Sequence, residues 1–366
     1  MTLTLEHIAK HVGAEAHIHP LSASLGTAGF NILLGATNAG KTTLIKLIAG
    51  LEKPTSGRIL LGDQDITKIS PQRRRVSLVH QFFVNYPHMS VAENIASPLR
   101  VAGMSGDEID RRVAEAAEIL RLTPYLARRP AELSGGQQQR TALARAIVKD
   151  ADIVLLDEPL ANLDYKLREE LRDQLPRLFA DRGSVVVYAT SEPSEALMLG
   201  GQTLTLHEGR LTQAGPTPEV YRDPADLTTA EVFSDPPINR AEVVKEAGEI
   251  LLGALASWPS PPGMAEAPDG RYLLAIRPHF VTPEAPSHRE DHPPAIPLTG
   301  TVQITELSGS ESVAHFDLGG LPWVSQSPGT HPYRLGEAHR FFVDPGGCLY
   351  FHPDGSRLAH TRREAA

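Results

Sequence analysis

The 366-residue chain has one cysteine, few aromatic residues (5%) and no excess of positive charge: 35 Lys and Arg stand against 44 Asp and Glu, a net charge of −9. The lone Cys348 cannot close an internal disulfide, which fits a reducing compartment. The acidic balance argues against wholesale binding of duplex nucleic acid, which wants a basic surface, and no nucleic-acid partner is expected. No apolar run reaches the ~18 residues that cross a bilayer, so helical membrane spans are excluded. The opening MTLTLEHIAKHVG lacks the basic start and apolar stretch of a secretory leader. With 41% apolar residues the chain has material for the cores of two domains of ~100–200 residues each, and a soluble intracellular protein is expected.

More than half of the 30 prolines lie after residue 235. Proline blocks helix continuation and central strands, so Asp235-Pro236-Pro237 reads as a boundary between domains over 1–235 and 236–366. In the first region Phe30–Leu34 is a short apolar strand, and Lys41–Ala49 has helical spacing that stops at Gly50. Ser105 and Glu108 offer a capping box before a helix whose apolar face is Ile109, Val113, Ala116, Ala117 and Leu120. Residues 153–156 and 185–188 are continuous apolar runs, as strands buried on both faces require. The pattern is α/β with a mostly parallel sheet, and the helical stretch 91–150 is too long for a simple crossover, so it reads as a subdomain. The second region looks all-β. Candidate strands at 271–277, 301–307, 312–318, 341–344 and 348–351 are separated by Gly and Pro signals, and a small closed or partly closed barrel is expected. The stretch Pro283 to Pro297, rich in Pro, His and charge, reads as a loop.

Three motifs carry chemistry. Gly35-Ala36-Thr37-Asn38-Ala39-Gly40-Lys41-Thr42, followed by Thr43, fits the phosphate-loop pattern and lies between a predicted strand and a predicted helix. Its glycines let backbone N–H groups turn around phosphate oxygens at a positive helix end. Lys41 reaches the β/γ-phosphates, and the Thr42 hydroxyl is offered to Mg²⁺. Downstream, Asp152-Ile153-Val154-Leu155-Leu156-Asp157-Glu158 is a buried strand ending in two carboxylates, one beside the metal and one facing an attacking water. The third motif is Leu133-Ser134-Gly135-Gly136-Gln137-Gln138-Gln139-Arg140, in which Ser134 can cap a helix whose glycines expose backbone donors. One nucleotide does not need this second anion-binding surface.

With these motifs, residues 1–235 resemble the ATP-binding subunits of ABC transporters. The resemblance implies an α/β P-loop ATPase domain with a helical subdomain, followed by a small all-β OB-like barrel that regulates or dimerises. It implies that Ser134, Gly135, Gly136 and Gln137 close over the ATP of a partner subunit. Gln81 becomes the residue that senses Mg²⁺ and the membrane subunit, Glu158 the residue that polarises water, and Leu163-Asp164 the loop crossing between subunits. Residues 86–95, following Gln81, are similar to carbohydrate importers. Leu274 to Pro278 and Gly336-Glu337 fall where the motifs of the importers' barrel belong, in the maltose and glycerol-phosphate branch.

Two departures qualify the likeness. The family has a histidine in a V-T-H-D context where this chain reads Tyr188-Ala189-Thr190-Ser191-Glu192; Ser191 is shorter and carries no positive charge. The family also stacks an aromatic on adenine where Lys10-His11-Val12-Gly13 places Val12, with His11 as an alternative stacking surface. Both fall in the chain's own phosphate-loop site, while the motif serving the partner is intact. The expectation is a subunit with an impaired Walker site, paired with a second, non-identical ATPase. Ser191-Glu192-Pro193 in this framework is similar to one subunit of the glycerol importers, so glycerol or a related polyol is the expected solute. The remaining partners are two membrane permease subunits and a periplasmic solute-binding protein, with ATP and Mg²⁺ bound at the cytoplasmic face of the inner membrane. The alternatives are a homodimeric sugar or glycerol-phosphate importer ATPase, a soluble non-transport ABC ATPase, and a regulatory binding module with a vestigial ATPase.

Other residues weigh less. His17 and His19 alternate on a possible strand, and His279, His288 and His292 lie in or near the loop-rich part; scattered surface histidines are commoner than metal ligands. Arg73-Arg74-Arg75 reads as a solvated face or a contact to lipid or a membrane subunit, Cys348 as a packed strand residue, and Pro176 as a kink or break in the helix-like 167–179.

Overall fold

In the computed structural model the described residues are 1–161, 163–180, 182–285 and 293–358. They form two compact units, Met1–Arg222 and Asp223–Ala366. In the first, β1 (Thr2–Val12) and β2 (Glu15–Gly26) form a hairpin, followed by β3 (Phe30–Leu34), α1 (Lys41–Ala49), β4 (Ser56–Leu61), β5 (Gln64–Asp65) and β6 (Val76–Val79). The helices α2 (Val91–Val101), α3 (Gly106–Ile119) and α4 (Gly135–Val148) form the subdomain before β7 (Ile153–Asp157). Then come α5 (Tyr165–Ala180), β8 (Val185–Thr190), α6 (Pro193–Leu199), β9 (Gln202–His207), β10 (Arg210–Pro216) and α7 (Thr217–Arg222).

A six-stranded sheet of order β10-β9-β3-β8-β7-β6 is parallel except at β9–β10. Strands β3, β7 and β8 are buried at every position, which is why they read as predominantly apolar runs. A four-stranded antiparallel sheet, β2-β1-β4-β5, shares its core with α1 through Leu3, Leu5, Ile18 and Leu44. The parallel strands β3 and β7 end together, and the loops after them hold the candidate site.

Several local expectations change. Ser105 caps α3 without a side-chain bond, and the Glu108 carboxylate is instead engaged by Arg111 and Arg112 at 2.8 and 2.7 Å. The capping box forms instead at Ser90 and Glu93, at the start of α2. Helix α5 runs on through Pro176 without a break, anchored by buried Leu171, Leu175 and Phe179 on either side of it. Arg74 is no solvated cation. It is buried and donates to the carbonyls of Leu47 and Ile48 at the carboxyl end of α1 (3.1 and 2.6 Å), and to those of Ile69 and Thr67. The Leu47 carbonyl also accepts from the Gly50 N–H at 3.1 Å, so Arg74 adds to the backbone cap of α1.

The second unit opens with α8 (Leu227–Val232) and continues as β11 (Asn239–Glu246), β12 (Glu249–Leu252), β13 (Ala256–Pro259), β14 (Gly270–Ile276), β15 (Val281–Thr282), β16 (Ile296–Leu307), β17 (Glu311–Leu318), β18 (Leu321–Pro328), β19 (Ala338–Val343) and β20 (Cys348–Phe351). Its start precedes the Asp235-Pro236 step because Ala230 of α8 packs with Ile238, Ala275, Leu349 and Phe351. Two antiparallel five-stranded sheets, β13-β12-β11-β14-β20 and β15-β19-β16-β17-β18, enclose one core around Trp258, Phe316, Trp323 and Phe341. Asn239 stitches the sheets together: its amide donates to the Val324 carbonyl at 2.8 Å and accepts from the Val324 N–H at 2.6 Å. The fold is thus α/β with a helical subdomain, followed by an OB-like barrel. His288 and His292 lie outside the described residues.

Candidate functional site

Beyond β3 and β7 the first unit holds a cleft of about 580 Å³, lined by residues 37–43, Gln81, Glu158, Glu15, Ala16, His17, Glu208 and Gly209. The loop from Gly35 to Gly40 is shaped by its glycines. The Gly35 N–H donates to the Thr190 carbonyl at 3.3 Å, and a Cβ at Gly35 would come within 2.7 Å of the Ala39 Cβ. Gly40 takes φ 102° as the amino-terminal cap of α1 and contributes no side-chain bond. The first N–H groups of α1 therefore remain available to an anion, reinforced by the helix dipole.

Lys41 is 5% exposed. Its Nζ donates to the carbonyls of Gly35 and Ala36 at 2.6 and 3.0 Å and lies 3.5 Å from Glu158 Oε1. Burial lowers its pKa from the ordinary lysine value, against the pull of the Glu158 charge. Gln81 Nε2 donates to the other Glu158 oxygen at 3.4 Å. Glu158 sits at φ 48°, a left-handed backbone that costs about 1–3 kcal/mol in a non-glycine residue. Its N–H is held by the Ala189 carbonyl of β8 at 3.0 Å. The carboxylate is thus fixed by the frame around it.

Asp157 is 1% exposed, and burial raises its pKa while the Thr42 hydroxyl, donating to Oδ1 at 3.2 Å, pulls it down. Its Oδ2 is buried and has no protein partner. An orphaned carboxylate oxygen beside a threonine hydroxyl fits a hard cation with oxygen ligands, and magnesium needs only one or two carboxylates when phosphates complete its shell. Among the described residues no cluster of three or more His, Cys, Asp or Glu could hold a metal alone, so His17, His19 and His279 form no such site.

The remaining candidates lie outside this cleft lining. Ser134 caps α4 in a reciprocal box with Gln137: its hydroxyl accepts from the Gln137 N–H at 3.3 Å, and its own N–H donates to Gln137 Oε1 at 3.0 Å. Gly135 is exposed, and nothing lies within 4 Å of where its Cβ would be. Asp164 accepts from the Leu167 N–H at 3.0 Å and caps α5. Ser191 is exposed immediately after Thr190, whose carbonyl anchors Gly35. Val12 is 52% exposed.

Sequence reasoning passed over the residues that tie these parts together. Gln139 Nε2 donates to the Pro159 carbonyl at 2.5 Å, linking α4 to the loop after β7. Asn85 donates to the Gln138 carbonyl at 2.9 Å, and Arg145 donates to the Val84 carbonyl at 2.5 Å while stacking 4.4 Å over Tyr86. The segment after Gln81 is thereby fastened to α4. It also missed Glu15, Glu208 and Gly209, and weighed His17 only as a metal ligand; the Glu208-Gly209 pair between apolar runs was a readable turn signal.

The ABC transporter family model matches residues 18–161. The chain is 34% identical, over 98% of its length and 99% of the relative, to the sn-glycerol-3-phosphate import ATP-binding protein UgpC of Ruegeria pomeroyi. It is 36% identical to the protein of the same description from Burkholderia cenocepacia, over 86% of this chain and 87% of that one. Among solved structures, the dimeric post-hydrolysis ATP-binding cassette MJ0796 bound to ADP and Pi matches with TM-score 0.55 and 27% identity, over 59% of this chain and 98% of that one. A glycine-shaped loop at a helix amino terminus, the carboxylates of buried Asp157 and half-buried Glu158 beside it and a full-length likeness converge on one conclusion: the chain belongs to the ATP-binding subunits of ABC transporters and is an ATPase.

Proposed function

We propose that this chain powers the import of a small polyol or polyol phosphate, glycerol or a close relative, from the cytoplasmic face of a bacterial inner membrane. Two membrane permease subunits and a periplasmic solute-binding protein complete the system. No helix among the described residues is long and apolar enough to cross a membrane, which suits a peripheral subunit. The observation that carries the reading is the assembly of Lys41, Gln81 and Glu158 in one cleft, in a chain whose full-length relatives are named as import ATP-binding proteins.

In this mechanism Lys41 leaves the loop carbonyls to neutralise the β/γ-phosphates, while the free N–H groups of α1 hold the remaining phosphate oxygens. Magnesium, when bound with the nucleotide, supplies positive charge beside the transferring phosphoryl group; Thr42, Asp157 and Gln81 are the residues that would hold it. Glu158 accepts a proton from the attacking water, oriented by Gln81. Ser134 to Gln137 seal a partner's nucleotide, so each site is completed by a second protomer.

The finer reading is a partner that is not a second copy. It rests on Ser191, which stands beside the anchor of Gly35 but offers no cation to the γ-phosphate. Turnover by the purified chain alone tests it. Slow hydrolysis that rises about tenfold or more in Ser191→His supports an impaired own site. Brisk hydrolysis by the unaltered chain supports the homodimeric reading and removes the need for a second ATPase. Uptake of labelled glycerol against sn-glycerol 3-phosphate in reconstituted vesicles decides the solute.

A further inference from the structure

The cleft has walls beyond the phosphate loop, and they are not those the family resemblance implies. Val12 and His11 are not among its lining residues, and the His11 N–H is tied to Thr55 Oγ1 at 2.9 Å. With Lys41, Thr42, Gln81 and Glu158 assigned to the phosphates and metal, the unassigned wall is Glu15, Ala16 and His17 of β2 with Glu208 and Gly209 of the β9–β10 turn. This wall is fastened to the phosphate loop through the backbone. The Gly209 N–H donates to the Ala39 carbonyl at 3.0 Å, and the His19 N–H donates to the Gly209 carbonyl at 2.9 Å. A Cβ at Gly40 would press to 2.7 Å from Ile18 Cδ1, so β2 and the loop meet closely at this point.

We infer that His17 carries the nucleobase. Its imidazole is the one aromatic ring among the described residues that line the cleft. The side chain is 39% exposed, so part of it is open to the cleft, and its Nε2 lies 3.8 Å from Glu15 Oε2. The exposed carboxylates of Glu15 and Glu208 stand on the same wall and accept from the donors of the nucleoside. Base-on-ring stacking tolerates different bases, because every base has a π-face. The inference rests on the ATP-site reading above and names the residue within it that holds the base.

The test is calorimetric titration of the full chain with ATP and, separately, with inorganic tripolyphosphate, both in excess Mg²⁺. His17→Ala is expected to weaken ATP about 5- to 100-fold while tripolyphosphate binds as before, and His17→Phe is expected to recover ATP. Unchanged ATP affinity in His17→Ala overturns the inference, as does a larger loss in Val12→Ala. Loss of both ligands in both His17 variants also overturns it, making His17 a support of the loop instead. Wild-type chain that binds neither ligand defeats the ATP-site reading itself, a result distinct from one in which only the His17 variants behave like wild type.

Discussion

Lys41 and Glu158 face each other across the phosphate loop, Nζ to Oε1 at 3.5 Å, with Gln81 holding the far carboxylate oxygen. The lysine thus rests on groups that compete with phosphate for it. Lys41→Ala should weaken ATP binding and lower turnover by about 10²-fold or more, the scale of removing one preorganised donor. Glu158→Gln keeps both neighbours' geometry and should lower turnover by about 10²–10⁴-fold while leaving ATP affinity near wild type. Single-turnover hydrolysis beside equilibrium binding separates the two effects.

The partnerless Oδ2 of Asp157 makes a separate prediction. Asp157→Asn keeps an acceptor for Thr42 but removes the charge, so half-maximal turnover should require at least tenfold more Mg²⁺. A Mg²⁺ titration at saturating ATP reads the shift.

Arg74 holds four backbone carbonyls from within the core. Its guanidinium is held below the ordinary arginine pKa by burial, and its bonds to the Leu47 and Ile48 carbonyls are buried. Arg74→Ala should cost about 2–4 kcal/mol, and Arg74→Lys should recover only part of that, because an ammonium cannot reproduce the planar fork. Urea denaturation midpoints at constant slope provide the measurement.

Glu195 lies 3% exposed under β8, where its Oε2 accepts from Thr190 Oγ1 at 2.7 Å and Tyr188 OH at 2.9 Å. Burial raises its pKa above 4.5, against those two hydrogen bonds. The folded state therefore binds this proton more tightly than the unfolded chain does. The stability it contributes is complete below the unfolded pKa and is lost as pH rises through the folded one. Glu195→Gln retains an acceptor for both hydroxyls without the charge. Its stability should fall less than that of wild type between pH 4.5 and neutrality, as thermal melts across that range would show.

Legibility in the sequence followed burial on both faces. The strands β3, β7 and β8 announced themselves because they are buried throughout and almost wholly apolar, Asn31, Asp157 and Thr190 being the polar exceptions, and the phosphate loop because its chemistry demands glycine at fixed spacing. The hairpin of β1 and β2 stayed hidden: register shifts between Leu5 and Ile8, and again up to His11, break the two-residue alternation that reveals a half-buried strand. Arg74 was misread because a run of three arginines looks the same whether or not one turns inward. His17 drew notice only as half of an alternating pair, since its nearness to the loop is made by Gly209, almost two hundred residues away.

That glycine sits at φ 73°, and a methyl group there would collide with the carbonyl of His17. A turn distant in sequence but at the same end of the sheet thereby acts as a spacer, setting how near the amino-terminal hairpin stands to the place where a sugar and its base would rest. Replacing it by alanine would leave every recognised motif untouched, yet would loosen the chain's grip on nucleoside while its hold on phosphate survived.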